Sequence, residues 1–548
     1  MSTEIAATIG AEGGSVRRRI NYAWTAIERF LVYAGDSLNP ILVKETRQAI
    51  KSFQFTATFI LLLIACWVVT MGGVAIVGPR IFYAAEGGTL MLWYYWILAF
   101  PLAVVVPYAA FRSLASERED NTYDLLSITT LRPWQIISGK LGSAVVQMGV
   151  YFSAITPCLA FTYLLRGIDL PTIAVSLAYL FFWSLGLSMV GILLATLTKR
   201  RFAHVFVSVA FVGGLLWLFG FAIVGVSISM IQISYSYLGS TEFWLDVLVT
   251  ATFYVTSFAL AFFAAAGMIS FTSENRSSPL RICMLLQAAA IVGWVSYGWI
   301  ETDYELFFVL LLAAVTAIYW YVMGAMLTAE RPGMSQRVKR RLPQSILGRM
   351  FFSWLNPGPA SGYMFVVANA TAMVLVCFAG AIISASVGKS NLKWPDLNAM
   401  FYSLVIGWGY LVAYLGLGLL TIGLLRRFAV VTMLACVLIH FLLLLAGFGI
   451  PYAIKSMSMQ LRDADYTFLQ ITDPIYSLYH VTTGAVISDT LKLLVIIPSV
   501  AVCVLLANMS SVIRELRVVR EAAPKRVLED EAELHPPPEA MPSSPWDE

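Results

Sequence analysis

At 548 residues the chain is 59% hydrophobic and only 12% charged, with a mean hydropathy of +0.77. That is far more apolar than a soluble domain tolerates. The formal net charge of +4 is small for this length, and no nucleic-acid partner is expected. The composition predicts an all-α polytopic membrane protein whose first partner is the lipid bilayer.

About 20 consecutive apolar residues cross the hydrocarbon core as a helix, and twelve such runs are present. In chain order they cover 55–77, 91–111, 141–165, 172–197, 202–226, 247–271, 282–299, 305–327, 363–387, 401–425, 428–453 and 491–509. Trp93, Tyr94, Trp299 and Tyr321 lie near run ends, where amphipathic rings favour the interface. The runs are continuously apolar rather than alternating, which disfavours strand spans.

Residues 1–54 precede the first run, too long and polar an approach for a secretory signal. Within them Asn39 is a good N-cap and Pro40 suits the first helical position. Leu42, Ala49, Ile50 and Phe53 then share one side, and Lys44, Arg47 and Lys51 another. An amphipathic interfacial helix is predicted, one that serves equally as a plain juxtamembrane anchor. With both termini cytoplasmic, the inner segments carry 29 of the 36 Lys and Arg residues, as the positive-inside rule requires.

Between the second and third runs stands a polar island, residues 112–140. Glu117, Arg118 and Glu119 open it. Leu125, Leu126, Ile128 and Leu131 make an apolar face too short to cross a membrane, and Pro133 starts or breaks a helix. Gly139 and Lys140 lead into the third run. Such a short helix can fill a groove in a soluble partner, or the segment is a solvated loop with snorkelling charges.

Two stretches resemble a known family. The first, NPILVKETRQAIKS, holds Asn39, Pro40, Lys44, Glu45 and Arg47 and looks like the elbow helix of ABC-2 type transporter permeases. The second, EREDNTYDLLSITTLRPWQIISGK, resembles their cytoplasmic coupling segment. Glu117, Arg118, Glu119, Thr122, Leu125, Leu126, Pro133, Gly139 and Lys140 stand at matching positions, whereas Asn121 replaces a Gly and Thr130 a Pro. The resemblance covers residues 39–271. It implies a permease subunit, an exporter in the plasma (cytoplasmic) membrane, that docks a separate ABC ATP-binding subunit and moves an unidentified substrate. ATP would be bound by that partner, so no cofactor and no enzymatic activity are expected of this chain. A Walker A loop would need Gly at position 383, five residues before Gly388-Lys389-Ser390, and Ile383 stands there.

The second half is expected to repeat the first. Lys199-Arg200-Arg201-Phe202-Ala203 joins the fourth and fifth runs, and Leu425-Arg426-Arg427-Phe428-Ala429 joins the tenth and eleventh. The division expected is therefore a cytoplasmic segment 1–54, six-span modules 55–271 and 272–509, and a disordered cytoplasmic tail 510–548. One two-module chain would act as a pseudo-dimer; a one-module reading would need a homodimer. The second coupling loop would be 328–362, basic through Arg337, Lys339, Arg340, Arg341 and Arg349, without the Glu-Arg-Glu and Gly-Lys signature.

Other polar groups carry less. Asp463, Asp465 and Asp473 lie in an outer loop and could bind a cation, but isolated carboxylates there read first as solvated groups. His440, Asn369 and Gln287 read as hydrogen-bonding groups between spans. The six cysteines all fall in spans without metal or disulfide spacing and read as small core residues. Ionisable groups are nearly absent from mid-span, with His440 the exception. That disfavours an ion-coupled secondary transporter or channel and a membrane-embedded enzyme. A scaffold whose island docks some other protein stays open.

Overall fold

The computed structural model describes residues 39–79, 85–120, 131–197, 201–232, 239–271, 274–330, 335, 338–339, 345, 354–387, 397–457, 466–483, 487–516 and 525–534. It is an all-α polytopic membrane fold. Among the described residues twelve helices are long and apolar enough to cross a membrane. The chain divides into two compact units, Met1–Ser270 and Phe271–Glu548.

The first unit begins with α1, Pro40–Ile50, whose N-cap Asn39 accepts from the Ile41 amide as expected. Its six spans are α2 (Phe53–Val77), α3 (Gly87–Glu119), α4 (Pro133–Leu164), α5 (Leu170–Leu197), α6 (Arg201–Gln232) and α7 (Thr241–Ile269). Midway, α3 widens into a π turn over Pro101–Val105. Proline has no amide hydrogen to keep the regular ladder, and the wider turn adjusts for it. Pro107, five residues past Leu102, brings no amide hydrogen to it in that register, and Ser184 of α5 donates to the Leu102 carbonyl at 2.5 Å, so that acceptor is satisfied inside the bundle.

The second unit has spans α8 (Ser277–Glu301), α9 (Leu306–Thr328), α10 (Pro359–Val387), α11 (Leu397–Leu425) and α12 (Met433–Met457). A 3-10 turn (Phe468–Thr472) and the short helix α13 (Pro474–Thr482) precede the last span, α14 (Ile487–Leu516). The same neighbours recur in each unit. The second span packs on the first, third, fourth and fifth; the fourth packs on the third, fifth and sixth; and the third meets the sixth.

Large apolar side chains point away from the helices along the spans. Phe206, Val209 and Trp217 are each about two-thirds exposed or more, a surface suited to lipid and not to water. Inside, tyrosine hydroxyls join neighbouring spans. Tyr151 meets Thr58 at 2.6 Å and Tyr94 meets Thr70 at 2.7 Å, while Tyr319 donates to the Met284 carbonyl at 2.8 Å.

Several expectations need correction. The tail expected to be disordered contains a helix, α15 (Lys525–Leu534), and α14 itself runs on to Leu516. The α15 stretch KRVLEDEAEL is built almost wholly of strong helix formers, which outweighs its charge. The eleventh span starts at Met433 rather than Phe428, because Arg426–Phe428 turn outside both flanking helices. Asp473 is not solvated. It is buried, 5% exposed, and caps α13 by accepting from the Ile475 and Tyr476 amides. Asn369 bonds the Phe365 carbonyl of its own helix rather than a neighbour.

His440 does bridge spans, with Nε2 3.2 Å from the Thr328 hydroxyl and Nδ1 3.0 Å from the Cys436 carbonyl. All six cysteines are free. Ile383 lies within helix α10, and Gly388, Lys389 and Ser390 lie outside the described residues.

Candidate functional site

The helix α3 keeps its form through Glu119, so Glu117, Arg118 and Glu119 are its last turn rather than the start of a separate helix. Pro133 opens α4 near its first position, so Gly139 and Lys140 lie one to two turns inside that helix. Thr122, Leu125 and Leu126 lie outside the described residues.

The elbow helix lies against the start of α4. Gly139 makes this approach possible: a methyl group there would sit 2.8 Å from Ile41 Cβ and 3.1 Å from Asn39 Nδ2. At Gly142 it would stand 2.7 Å from Leu42 Cδ1. Asn39 adds a direct tie, donating from Nδ2 to the Gln135 carbonyl at 2.5 Å. Ile41 and Glu45 form the buried line of α1, whereas Lys44, Arg47 and Ile50 are exposed.

Lys140 is where the three segments meet. Its side chain is 1% exposed, with Nζ 3.0 Å from Glu45 Oε1 and 3.0 Å from Glu117 Oε2. It also donates to the Ser113 carbonyl at 3.2 Å and the Ser113 hydroxyl at 3.1 Å. A buried ammonium is costly unless paired and hydrogen-bonded, and here it is both. Lys44, half exposed, closes the rim at 3.2 Å from Glu117 Oε1, so two cations face two carboxylates.

Arg118 turns the other way and donates to the Thr196 carbonyl at 2.7 Å, in the last turn of α5. Carbonyls there lack helical partners and carry the negative end of the dipole. Glu119 is exposed.

The second unit has a related centre that the sequence reading missed. Arg281, fully buried in the first turns of α8, pairs with Glu330 just past α9, Nη2 to Oε2 at 3.0 Å. The guanidinium also donates to the Trp354 carbonyl at 2.6 Å and the Gly358 carbonyl at 3.3 Å. Glu330 accepts from the Gly358 amide at 2.8 Å and from the Ser277 hydroxyl. Glu515, at the end of α14, accepts from the Ser361 amide at 2.8 Å. Two carboxylates thus satisfy amides at the start of α10, where the helix dipole favours negative charge.

A signal for this centre is present in the chain. Leu114-Ala115-Ser116-Glu117-Arg118 ends the second span of the first unit, and Leu327-Thr328-Ala329-Glu330-Arg331 ends that of the second. The Glu-Arg pair recurs, so the later loop does not wholly lack the signature; the spacing is 213 residues, not the 226 between the two basic turns. Of the basic residues expected in that loop, only Lys339 is described; Arg337, Arg340, Arg341 and Arg349 lie outside the described residues.

No group of three or more His, Cys, Asp or Glu side chains is arranged to hold a metal among the described residues. Comparison with protein-family models, with curated proteins and with solved structures gives no match.

Proposed function

We propose that the chain is the membrane subunit of an ABC-2 type transporter, an exporter that couples ATP hydrolysis by a separate ATP-binding subunit to substrate movement. One observation carries the reading. Glu45, Glu117 and Lys140, 95 residues apart at the extremes, join at one buried ion cluster. The cluster ties α3 and α4, the helices on either side of residues 121–130, to each other and to the elbow helix. A partner that pushes on this segment therefore moves α1, α3 and α4 together, since a buried salt link resists separation.

In this reading the protein lies in the plasma membrane with both termini cytoplasmic. Its two units act as unequal halves of a pseudo-dimer, an idea supported by the recurring span neighbours and the recurring Glu-Arg pair. The partner docks on the exposed surface around Glu119 and on Leu125 and Leu126.

The test separates docking from folding. The full-length protein is purified from its native membrane and its companions are identified. A P-loop ATPase is expected, and Glu119→Arg combined with Leu126→Asp should abolish its co-purification without changing elution of the folded permease. Glu117 is unsuitable for this purpose because it holds Lys140. A native complex without any P-loop ATPase, or transport that runs on an ion gradient alone, defeats the proposal.

A further inference from the structure

The elbow helix α1 has three faces. Ile41 and Glu45 are buried against α4. Lys44, Arg47 and Lys51, at helical spacing, form a second face that is exposed. Val43, Thr46 and Ile50 lie on the third, and Ile50 is 40% exposed. Phe53, the first residue of α2, extends this apolar edge and is 88% exposed. Leaving a ring this open in water is unfavourable, whereas at the start of a span it meets lipid. The edge continues down α2. Ile60 and Ile64 follow on the same side as Phe53 and are 50% and 54% exposed. From Phe53 to Ile64 is about 16 Å at ~1.5 Å per residue, close to half of the ~30 Å hydrocarbon core.

The cations of the wet face differ in their partners. Lys44 is held by Glu117 at 3.2 Å and Glu45 at 3.8 Å. Arg47 and Lys51 have no carboxylate partner among the described residues. Like charges four residues apart repel on a helix, so this pair lacks a counter-ion. The dipole at the end of α1 favours cations in the last turn. It does not account for the apolar edge beside them.

We propose that this corner binds an anionic phospholipid, with its phosphate between Arg47 and Lys51 and one acyl tail along Phe53, Ile60 and Ile64. Charge and depth agree. The cations stand on the helix that precedes the first span, where headgroups lie, and the apolar side chains run down the span for one leaflet. Each cation near the surface adds about fivefold to the preference for an anionic headgroup, or ~1 kcal/mol. Charge therefore selects among lipids, and the apolar edge selects a lipid over a soluble phosphate. Another face of α1 carries Glu45 to Lys140, so a bound lipid steadies the helix that completes the ion cluster. The inference rests on the membrane-spanning fold and not on the transporter reading.

The test uses the full-length protein in nanodiscs of phosphatidylcholine with a minor share of phosphatidylglycerol. Each lipid in turn carries a diazirine near the glycerol end of one acyl chain, at the same probe fraction. After illumination, the peptide spanning Ile50 to Phe55 should be labelled about tenfold or more strongly by the phosphatidylglycerol probe. At Val209 and Trp217, exposed apolar positions of α6, the two probes should label alike. Arg47→Gln combined with Lys51→Gln should remove the preference. Each single substitution should lower it about fivefold, and Arg47→Lys should keep it. Raising salt to about 0.5 M should shrink it as well. Glycerol 1-phosphate in excess carries the phosphate without tails and should not compete. Both substituted positions are exposed and unpaired, so the variants should elute as the wild type does; should the double variant not, the single substitutions carry the test. Equal labelling by the two probes, a preference that survives neutralisation of both cations, or loss of labelling to glycerol 1-phosphate overturns the proposal.

Discussion

The two units tie their helix ends by different chemistry. In the first, a lysine sits between two carboxylates, with Lys44 half exposed at the rim. In the second, a fully buried guanidinium reaches a carboxylate, two backbone carbonyls and a hydroxyl at once. An ammonium is a compact point charge on a flexible stem, and a guanidinium is a planar fork that fixes direction as well as distance. The first centre can therefore rearrange while keeping its pairs, whereas the second acts as a fixed joint. Under the proposed function this is the asymmetry expected of a unit that receives force and a unit that braces it.

Arginine capping makes the same contrast. In the first unit Arg118, at the end of the second span, donates to the end of the fourth. In the second unit Arg426, past the end of the fourth span, donates to the Ala329 and Glu330 carbonyls at the end of the second, at 3.0 and 2.8 Å. The same two spans are joined in both units, with donor and acceptor exchanged.

These contrasts can be broken by substitution. The largest effect is expected from Arg281→Ala, which leaves the partly buried Glu330 without its cation and frees two carbonyls. A loss of about 3–5 kcal/mol is expected, seen as loss of monodisperse protein in size-exclusion chromatography after detergent extraction. Arg281→Lys should not restore it, since one ammonium cannot reproduce the fork. Lys140→Ala should fall at the low end of that range, about 3 kcal/mol, because Lys44 still faces Glu117. Thermal unfolding in detergent compares the two variants, and equal losses would remove the distinction between rigid and adjustable centres.

Gly139→Val should cost about 1–3 kcal/mol by forcing Ile41 and the elbow helix off α4. Faster hydrogen exchange confined to Pro40–Ile50 and the start of α4 is the expected signature, and unchanged exchange would show that the close approach is not needed. Lys44→Ala should have the smallest effect, under about 1 kcal/mol. That difference should shrink further as salt rises, because only the rim of the cluster is screened.

Much of the fold was readable from residues 39–548 taken in order. Asn39-Pro40 gives the start of the elbow helix, because cap chemistry is local, whereas Pro133 says only that a helix starts or breaks there. The ends of α3 and α4 were less clear: polar Glu117 and Lys140 look like loop residues, yet both belong to helices. A hydropathy reading shortens a span wherever a charge is buried by pairing rather than left in water.

For the candidate centre, Glu117 and Lys140 were singled out by resemblance. The part of Glu45, beyond its place in the elbow motif, and the whole of the Arg281–Glu330 centre were not. Nothing in a sequence says which of many charges will be neighbours across 95 residues.

The sequence by itself determined that this is a helical membrane protein with twelve apolar spans, since length and hydropathy alone decide whether a segment suits the hydrocarbon core. Only the tertiary structure decided which charges are buried together and which spans they join. Those outcomes depend on side chains meeting across helices, through packing and desolvation that no single segment encodes.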